Sequence, residues 1–279
     1  RWRGGSARMI QGRSKKYKFF WSGNNSGQGG VGILVSEKII EKILSVERVD
    51  HRIITMRLLL GKLILNIKSV YAPQTGRTTE EKNEFYTKLI ADIAKVPISE
   101  MLIVSGDLNG HVGTKSDGFE GHHGGLGFGE RNTDGLRILD MCAASNLAIA
   151  NTFFTKPDNK LITYKSGGAN SQIDFLLVRK KDLKNVRNIG VIGNEECITQ
   201  HKLLVCNLQL STNCFRPNYV PKRCKIWRLR NPETINEYRN LVENKITEEH
   251  PDDNIYTKWY KIKKAVLNAA DVSYGWTRG

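Results

Sequence analysis

Apolar residues fall mostly into short runs along the first 210 positions, and this pattern predicts many strands and few helices. Runs rich in β-branched and aromatic residues predict strands at residues 17–21, 31–36, 53–60, 63–71, 101–105, 147–150, 173–178 and 203–208. Gly61-Lys62 separates two of these runs and predicts the turn of a hairpin. Residues 1–14 are basic and show no periodicity, so we expect the strands to begin after them.

Two stretches show the four-residue periodicity of helices. Thr78 and Glu81 have the spacing of a capping box, and the helix behind them is predicted to stop at Pro97, with an apolar stripe of Phe85, Leu89 and Ile93. A second helix, capped by Asn132 or Thr133, is predicted to run over Leu136, Leu139 and Ala143. Because few helices are inserted among many strands, we expect an α/β sandwich with mixed sheets and not a doubly wound parallel fold.

The character of the sequence changes after residue 211. Pro217 and Pro221 predict a linker, and helices are predicted at residues 232–244 and 256–270, with packing anchors at Trp227, Trp259 and Trp276. We therefore expect one substantial domain over residues 1–211 and a small helical tail over residues 212–279.

The charge balance favours an anionic partner. The 279 residues carry a formal net charge of +15, with 30 basic and 20 acidic residues up to position 211 and 13 and 8 after it. Nucleic acid is the commonest partner of a basic chain, and basicity spread over the whole chain suits a broad grip on a phosphate backbone. A basic surface kept only for solubility is the alternative that composition leaves open.

Cysteine usage and hydropathy predict where the protein works. The five cysteines are scattered without any Cys-x-x-Cys pair, which favours reduced intracellular thiols over a disulfide or zinc framework. We expect no membrane association, since the sequence contains no apolar run of membrane length. The chain opens at Arg1 without a secretory leader, and we expect it to be a fragment.

Asp107 and Asn109 follow the predicted strand at residues 101–105. If the strand continues through them, they share one face and present a carboxylate and a carboxamide at the rim of a sheet. Such a pair suits the binding of a water and a metal-bound phosphate. Asp, Asn and Gly are also the preferred residues of turns, so an ordinary turn is the alternative for these residues alone.

Three further residues occupy positions at the ends of strands. Tyr71 ends a strand just before Pro73, which cannot continue a central strand. Asp174 lies in the segment Ser-Gln-Ile-Asp-Phe, and His201 lies in Thr-Gln-His just before a strand. Taken singly, Tyr71 could be a rim aromatic, Asp174 a member of an ion pair and His201 a surface histidine. The order of the three residues along the chain favours a shared site.

This order resembles the endonuclease/exonuclease/phosphatase superfamily of metal-dependent phosphodiesterases. In more detail, several motifs resemble the endonuclease domains of RTE-type non-LTR retrotransposons and their domesticated, craniofacial development protein 2-like relatives. The matching segments are Gly-Asp-Leu-Asn-Gly-His-Val-Gly (106–113), Gly-Phe-Gly-Glu-Arg-Asn (127–132), Asn-Thr-Phe-Phe (151–154) and Ser-Gln-Ile-Asp-Phe (171–175). The resemblance implies a DNase-like, four-layer α/β sandwich of two mixed β-sheets flanked by helices.

The resemblance also implies a role for each site residue. Asp107 would orient or deprotonate the attacking water, Asn109 would hold that water or a phosphate oxygen, and Tyr71 would contact the scissile phosphate. His201 would donate to the phosphoryl oxygens, with Asp174 fixing its tautomer. A divalent ion, Mg²⁺ or Mn²⁺, would neutralise the phosphate. The implied partner is DNA. The resemblance further implies a monomeric protein that is intracellular and nuclear.

Two departures from the family pattern bear on activity. Gln200 stands where the family has an Asp beside the metal, and the family's metal-binding Glu falls before Arg1, so we expect a chain truncated at its first strand. Asp107 is then the main metal-facing carboxylate, with Gln200 as a weaker ligand. The alternatives are a DNA endonuclease, a catalytically silent module that binds nucleic acid or protein, and a phosphatase. Whether this chain is itself an active enzyme stays open at this point.

Overall fold

The computed structural model describes residues 3–27, 29–192, 200–210, 224–246 and 255–277. The predicted linker at Pro217 and Pro221 lies outside these ranges, as do Cys197, Thr199 and Cys214. The chain divides into two compact units, Arg1–Cys214 and Phe215–Gly279, and each is treated by itself.

The first unit alternates strands with a few helices. Its strands are β1 (Gly5–Gln11), β2 (Lys16–Ser22), β3 (Val31–Ser36), β4 (Ile43–Asp50), β5 (Ile53–Leu60), β6 (Leu63–Tyr71), β7 (Met101–Asp107), β8 (Leu147–Ile149), β9 (Tyr164–Ser166), β10 (Ala169–Ser171), β11 (Asp174–Arg179), β12 (Val186–Val191) and β13 (Leu204–Leu208). Its α-helices are α1 (Glu37–Ile40), α2 (Thr79–Ala94), α3 (Thr133–Ala144) and α4 (Asp158–Leu161), with 3-10 helices at Ala150–Phe153 and Lys180–Asn185.

A six-stranded sheet in the order β4-β5-β6-β7-β11-β8 forms the centre of the unit. β6 and β7 pair in parallel, whereas the other neighbours are antiparallel. A parallel pair needs a crossover connection, which α2 provides. The predicted capping box is present, since the Thr78 side chain accepts from the Glu81 N–H and the Glu81 side chain accepts from the Thr78 N–H.

A hydrophobic core fills each face of this sheet. On one face the sheet packs against α2 and α3, with Phe85, Leu89 and Leu139 at most 3% exposed. On the other face it packs against β2, β3 and β12, through residues such as Phe20, Ile33 and Ile189. The predicted α/β class is confirmed: a large mixed sheet is flanked by helices. The described strands of the second layer are antiparallel, in the orders β1-β2-β3 and β12-β13.

The prediction that the strands begin after residue 14 is wrong, because β1 lies inside that segment. All seven residues of β1 are exposed, so no alternation of buried and polar positions marks the strand in the sequence. It forms by backbone pairing along the whole length of β2. The edge strand β4 also lacked a predicted counterpart, since all eight of its residues are exposed or half-buried.

The second unit contains α5 (Pro232–Ile246), α6 (Ile255–Ser273) and a 3-10 helix at Ile226–Arg230. The prediction of tryptophan anchors is wrong for Trp227 and Trp259, which are 57% and 64% exposed. α6 instead buries small residues, Ala265, Ala269 and Ala270, and Tyr274 packs its ring 5.4 Å from that of Tyr238. Among the helices of the described ranges, none combines the length and apolar character needed to span a membrane.

A buried ion pair links the central sheet to α2. Lys68 on β6 and Asp92 on α2 are 1% and 2% exposed and hydrogen-bond to each other, and the Thr55 hydroxyl lies 3.1 Å from Lys68 Nζ and 3.0 Å from Asp92 Oδ2. Burial lowers the pKa of Lys68, and the Asp92 carboxylate opposes that shift.

We expect Lys68→Met to reduce the free energy of unfolding by about 3–5 kcal/mol, because it leaves the buried Asp92 charge without its main partner. The double variant Lys68→Met/Asp92→Leu should recover most of this loss, since it removes both charges. Urea denaturation of the two variants tests this. A double variant as unstable as the single one would show that side-chain packing, and not the unpaired charge, sets the cost.

Candidate functional site

Three strand ends of the central sheet meet at one point. In the backbone register, Tyr71 at the end of β6 pairs with Asp107 at the end of β7, and Asp107 pairs with Asp174 at the start of β11. The Ala72 N–H donates to the Asp107 carbonyl over 2.9 Å, which continues the pairing beyond the strand. Residues far apart in sequence are thereby held side by side on one rim.

Gly106 makes this close approach possible. Its φ of 154° is one that side-chain-bearing residues rarely adopt, and a Cβ there would lie 1.8 Å from the Val70 carbonyl oxygen. The obstacle is backbone, so it could not move aside without displacing β6. A glycine just before Asp107 is therefore required by the pairing of β6 with β7.

Asp107 and Asn109 do not share a strand face, and the prediction of an extended pair is wrong. Asn109 has a φ of 47°, and its N–H donates to Asp107 Oδ1 over 2.9 Å, which is an Asx-type turn. The Asn109 side-chain amide donates to the Ala72 carbonyl, also over 2.9 Å. The segment is thus an ordinary turn, and it also presents the Asp107 carboxylate at the rim of the sheet. The two interpretations of the sequence are therefore compatible.

His201 lies between the two carboxylates. Its Nδ1 is 3.0 Å from Asp174 Oδ2, and its Nε2 is 4.0 Å from Asp107 Oδ2. The Tyr164 ring packs against the imidazole with 4.7 Å between ring centroids. Thr163 Oγ1 accepts from the Asp174 N–H over 3.1 Å, which fixes the backbone that carries this carboxylate. The imidazole is therefore held in place from two sides.

An open cavity of about 400 Å³ lies in front of Asp107 and His201. The residues that line it are Tyr71, Gln74, Thr75, Gly76, Asp107, Asn109, His111, Tyr164, Ser171, Ile173, Gln200 and His201. Gln200 is exposed, and its Nε2 lies 3.4 Å from the Ser166 hydroxyl. Tyr71 stands at the rim, where Gln74 Nε2 donates to its hydroxyl over 3.1 Å and the Arg52 guanidinium lies 5.3 Å from its ring centre.

The charges of the site perturb one another. Burial and, to a smaller extent, the neighbouring Asp174 carboxylate raise the pKa of Asp107 to about 6, against opposing effects of the Asn109 N–H and His201. The hydrogen bond to Asp174 raises the pKa of His201, although burial works against that shift. Asp107 and His201 therefore stay protonated to a higher pH than an exposed aspartate or histidine would.

Asp107, Asp174 and His201 form a possible cation site. One ligand atom of each lies within 4.8 Å of the others, in the only such group of His, Cys, Asp and Glu found across the described residues. Two carboxylates close together fit a divalent cation, which would relieve the repulsion that helps to raise the pKa of Asp107. Asp107 is the better placed ligand, since Asp174 is engaged with His201.

The structure brings Tyr71, Asp107, Asn109, Asp174 and His201 into one site, and Gln200 lies on its wall. Sequence reasoning missed three neighbours, Gln74, Arg52 and Tyr164. Gln74 could have been found from its place directly after Tyr71-Ala72-Pro73 at the strand end. Arg52 and Tyr164 reach the site through long-range packing, which leaves no local signal.

Solved structures with a similar fold are nuclease domains. The endonuclease domain of TRAS1, a telomere-specific non-LTR retrotransposon, gives a TM-score of 0.50 at 15% identity, over 75% of this chain and 82% of that one. A 3'-5' exonuclease, NExo from Neisseria meningitidis, gives a TM-score of 0.52 at 12% identity, over 70% and 80%. The chain has the fold of these nuclease domains. Identities this low show the fold alone.

Named relatives are more similar in sequence. Craniofacial development protein 2 of Bos taurus is 27% identical over 242 residues, which cover 86% of this chain and 40% of that protein. The protein of the same name from Tragulus javanicus is 28% identical over 196 residues, covering 70% and 34%. The chain thus spans two fifths or less of the length of these relatives. Comparison with known protein families finds no match.

The raised pKa of Asp107 predicts a pH-dependent stability. In the folded state the carboxyl holds its proton up to about pH 6, against an ordinary pKa of 3.8. Its contribution to stability is therefore present at low pH and lost as the pH rises through 6, by up to about 3 kcal/mol. In metal-free protein, Asp107→Asn should be as stable as wild type at pH 4 and more stable at pH 8.

Thermal and urea unfolding at the two pH values measure this difference. Asp140→Asn on α3 is the matched control, because it makes the same change at an exposed carboxylate outside the site. We expect the control to change stability little at either pH. An Asp107→Asn variant that is less stable than wild type at pH 8 would contradict the electrostatic account.

Proposed function

We propose that this chain is a divalent-metal-dependent phosphodiesterase that cleaves DNA as an endonuclease. The observation that carries the proposal is the group of Asp107, Asp174 and His201 at the end of the central sheet, with ligand atoms within 4.8 Å of one another. Cleavage of a phosphodiester needs a base for the attacking water and positive charge beside the phosphate. This group offers both chemistries within one open cavity.

His201 supplies a hydrogen-bond donor for the phosphate. The Asp174 carboxylate accepts from Nδ1, which fixes the tautomer and favours the charged imidazolium. Nε2 then carries a proton on the side of the ring that faces Asp107. An imidazolium in this position stabilises negative charge as it grows on a phosphoryl oxygen.

Asp107 acts as the base. A carboxylate with a pKa near 6 is largely ionised at neutral pH and still accepts a proton more readily than an exposed one. Asn109 holds the attacking water or a phosphate oxygen, and Tyr71 contacts the phosphate at the rim. Because Gln74 donates to the Tyr71 hydroxyl, the phenolic proton is left to donate to the substrate.

Asp107 would hold the cation, with Gln200 as a weaker second ligand. A bound Mg²⁺ or Mn²⁺ would supply positive charge that neutralises the phosphate and favours departure of the leaving oxygen. The exposed amide of Gln200 offers a neutral oxygen in place of a charge.

DNA is the proposed substrate, and the charge of the chain supports it. A net charge of +15 favours a polyanion over a small phosphate, and the names of the structural neighbours specify an endonuclease and an exonuclease. The sequence motifs lead us further to propose descent from an RTE-type retrotransposon, and a monomer that works in the nucleus.

A second candidate is a nucleic-acid-binding module without catalysis. Gln200 favours it, because a neutral amide would replace a charge beside the proposed cation, and its Nε2 lies 3.4 Å from the Ser166 hydroxyl. Binding by distributed lysines and arginines would survive the loss of cleavage, since it does not depend on the metal ligands.

Nicking of supercoiled plasmid tests the proposal. We expect nicking with Mg²⁺ or Mn²⁺ and none with chelator, and we expect Asp107→Asn and His201→Gln each to lower the rate by about 10²–10⁴-fold. Duplex binding should be retained in both variants, because they act on the transition state. Lys184→Gln is the control, an exposed charge change in the 3-10 helix Lys180–Asn185 that follows the far end of β11.

Two outcomes would contradict the proposal. Wild-type nicking rates in either site variant would remove the assigned roles. Salt-sensitive duplex binding without nicking in either metal ion would favour the second candidate.

The variant Gln200→Asp tests whether Gln200 faces a cation site that supports nicking. An added charge a few ångströms from a cation at a partly exposed position is worth about 1 kcal/mol, so the Mg²⁺ concentration for half-maximal nicking should fall several-fold. Gln209→Asp makes the same change at an exposed residue just beyond the other end of β13 and should leave that concentration unchanged. An unchanged Mg²⁺ requirement in Gln200→Asp would show that Gln200 does not face the cation.

A further inference from the structure

Asp174 lies at the start of β11, where the described strands pair with only one of the two edges of β11. On that edge β11 pairs with β7, and the register places Asp174 beside Asp107. On the other edge β8 pairs with residues 177–179, beyond Asp174. The backbone N–H and C=O groups of Asp174 on this second edge need other partners, because an unpaired backbone group away from water costs free energy.

The Asn151 side chain takes the place of a strand on this second edge. Asn151 lies on the 3-10 helix Ala150–Phe153 and is only 3% exposed. Its Nδ2 donates to the Asp174 carbonyl over 3.2 Å, and its Oδ1 accepts from the Leu176 N–H over 2.9 Å. One amide thus serves two residues that are two positions apart, as a residue of a neighbouring parallel strand would.

The Thr163 hydroxyl completes the edge. Thr163 comes just before β9 and is 0% exposed. Its Oγ1 accepts from the Ile173 N–H over 3.0 Å and from the Asp174 N–H over 3.1 Å. Asp174 therefore has a buried side-chain partner for its N–H in Thr163 and another for its carbonyl in Asn151.

Thr163 is also joined to the segment that carries His201. The Thr163 carbonyl accepts from the Lys202 N–H over 2.8 Å. The next residue, Tyr164, forms an antiparallel bridge with His201 and packs its ring on the imidazole. The backbone of His201 is therefore held to the same short segment whose Thr163 hydroxyl holds Asp174.

We propose that Thr163 and Asn151 are positioning residues that fix the Asp174 carboxylate relative to His201 and so keep the imidazole directed at the substrate phosphate. This proposal rests on the proposed function. Neither side chain is among the residues that line the cavity, so both would act through Asp174.

The distribution of the bonds favours positioning over general support of the strand. All four side-chain bonds fall on residues 173–176, the end of β11 that carries Asp174. The hydrogen bond that depends on this end is the one between Asp174 Oδ2 and His201 Nδ1, which are 3.0 Å apart. A displacement of about 1 Å would break such a bond, and misplacement of that size can cost about 10²-fold in rate.

Plasmid nicking with Mg²⁺ tests the role of the Thr163 hydroxyl. Thr163→Val removes the hydroxyl with little change of shape, whereas Thr163→Ser keeps it. We expect Thr163→Val to lower kcat by about 10–100-fold and to change KM less than about twofold, because the side chain makes no substrate contact. Thr163→Ser should restore kcat to within about threefold of the wild-type value.

Thr55→Val is the matched control for a loss of stability. It also removes a buried threonine hydroxyl, 9% exposed, but on β5, where this hydroxyl contacts Lys68 and Asp92. Thr55→Val should lower the melting temperature and leave kcat unchanged. A fall in kcat as large as that of Thr163→Val would show that lost stability causes both effects, and would overturn the proposal.

Nuclear magnetic resonance of the imidazole tests the positioning without cleavage. In metal-free protein at one fixed pH, proton–nitrogen correlations through the carbon-bound ring protons give the Nδ1 shift of His201, and His201→Gln assigns the signals by removing them. Thr163→Val and Asn151→Leu should both move this shift, because the bond to Asp174 is weakened. Thr163→Ser and Thr55→Val should retain it. Thermal unfolding shows which variants are folded, and a wild-type Nδ1 shift in folded Thr163→Val would overturn the proposal.

The two measurements separate failure of this proposal from failure of the proposed function. If the wild-type chain does not nick with Mg²⁺ or Mn²⁺, the proposed function fails, and the Nδ1 shift alone then decides whether Thr163 sets the geometry of Asp174 and His201. If the wild-type chain nicks and Thr163→Val nicks with the same kcat, the positioning role fails and the proposed function stands.

Discussion

The site depends on one constraint, the backbone register that aligns β6, β7 and β11. Tyr71, Asp107 and Asp174 sit at one rim because their strands end level with one another, and Gly106 permits the approach of β7 to β6. A shift of one residue would turn the Asp107 side chain to the opposite face of the sheet. Strand ends therefore hold Tyr71, Asp107 and Asp174 side by side, while Asn109 joins the site from a turn and His201 from just before β13.

Placing Asp107 and Asp174 close together costs electrostatic free energy. Burial and the nearby Asp174 carboxylate raise the pKa of Asp107 to about 6, and the hydrogen bond to Asp174 raises the pKa of His201. Lys68 on β6 and Asp92 on α2 form a contrasting pair, because these two buried side chains carry opposite charges and bind each other. Like charges held close together beside an open cavity are typical of a site that binds a cation or accepts a proton.

Much of the framework could be predicted because its signals are local. The capping box of Thr78 and Glu81 and the hairpin around Gly61 depend on residues a few positions apart. The exposed strand β1 could not be predicted, since it forms by pairing with β2 and not by burial. The same limit applies within the site: Asn109 turns out of the strand, and Tyr164 reaches His201 only through the tertiary fold.

Exposure means different things on the two faces of the second layer. The inner side chains of β2 and β3 are fixed by the core, so a change there would be felt as lost packing. On the outer side, Arg8 contributes nothing to that core, yet it stands opposite Phe19 in a segment that lacks any acidic residue. A substitution of Arg8 would therefore change the charge of the surface without disturbing the packing of the layer.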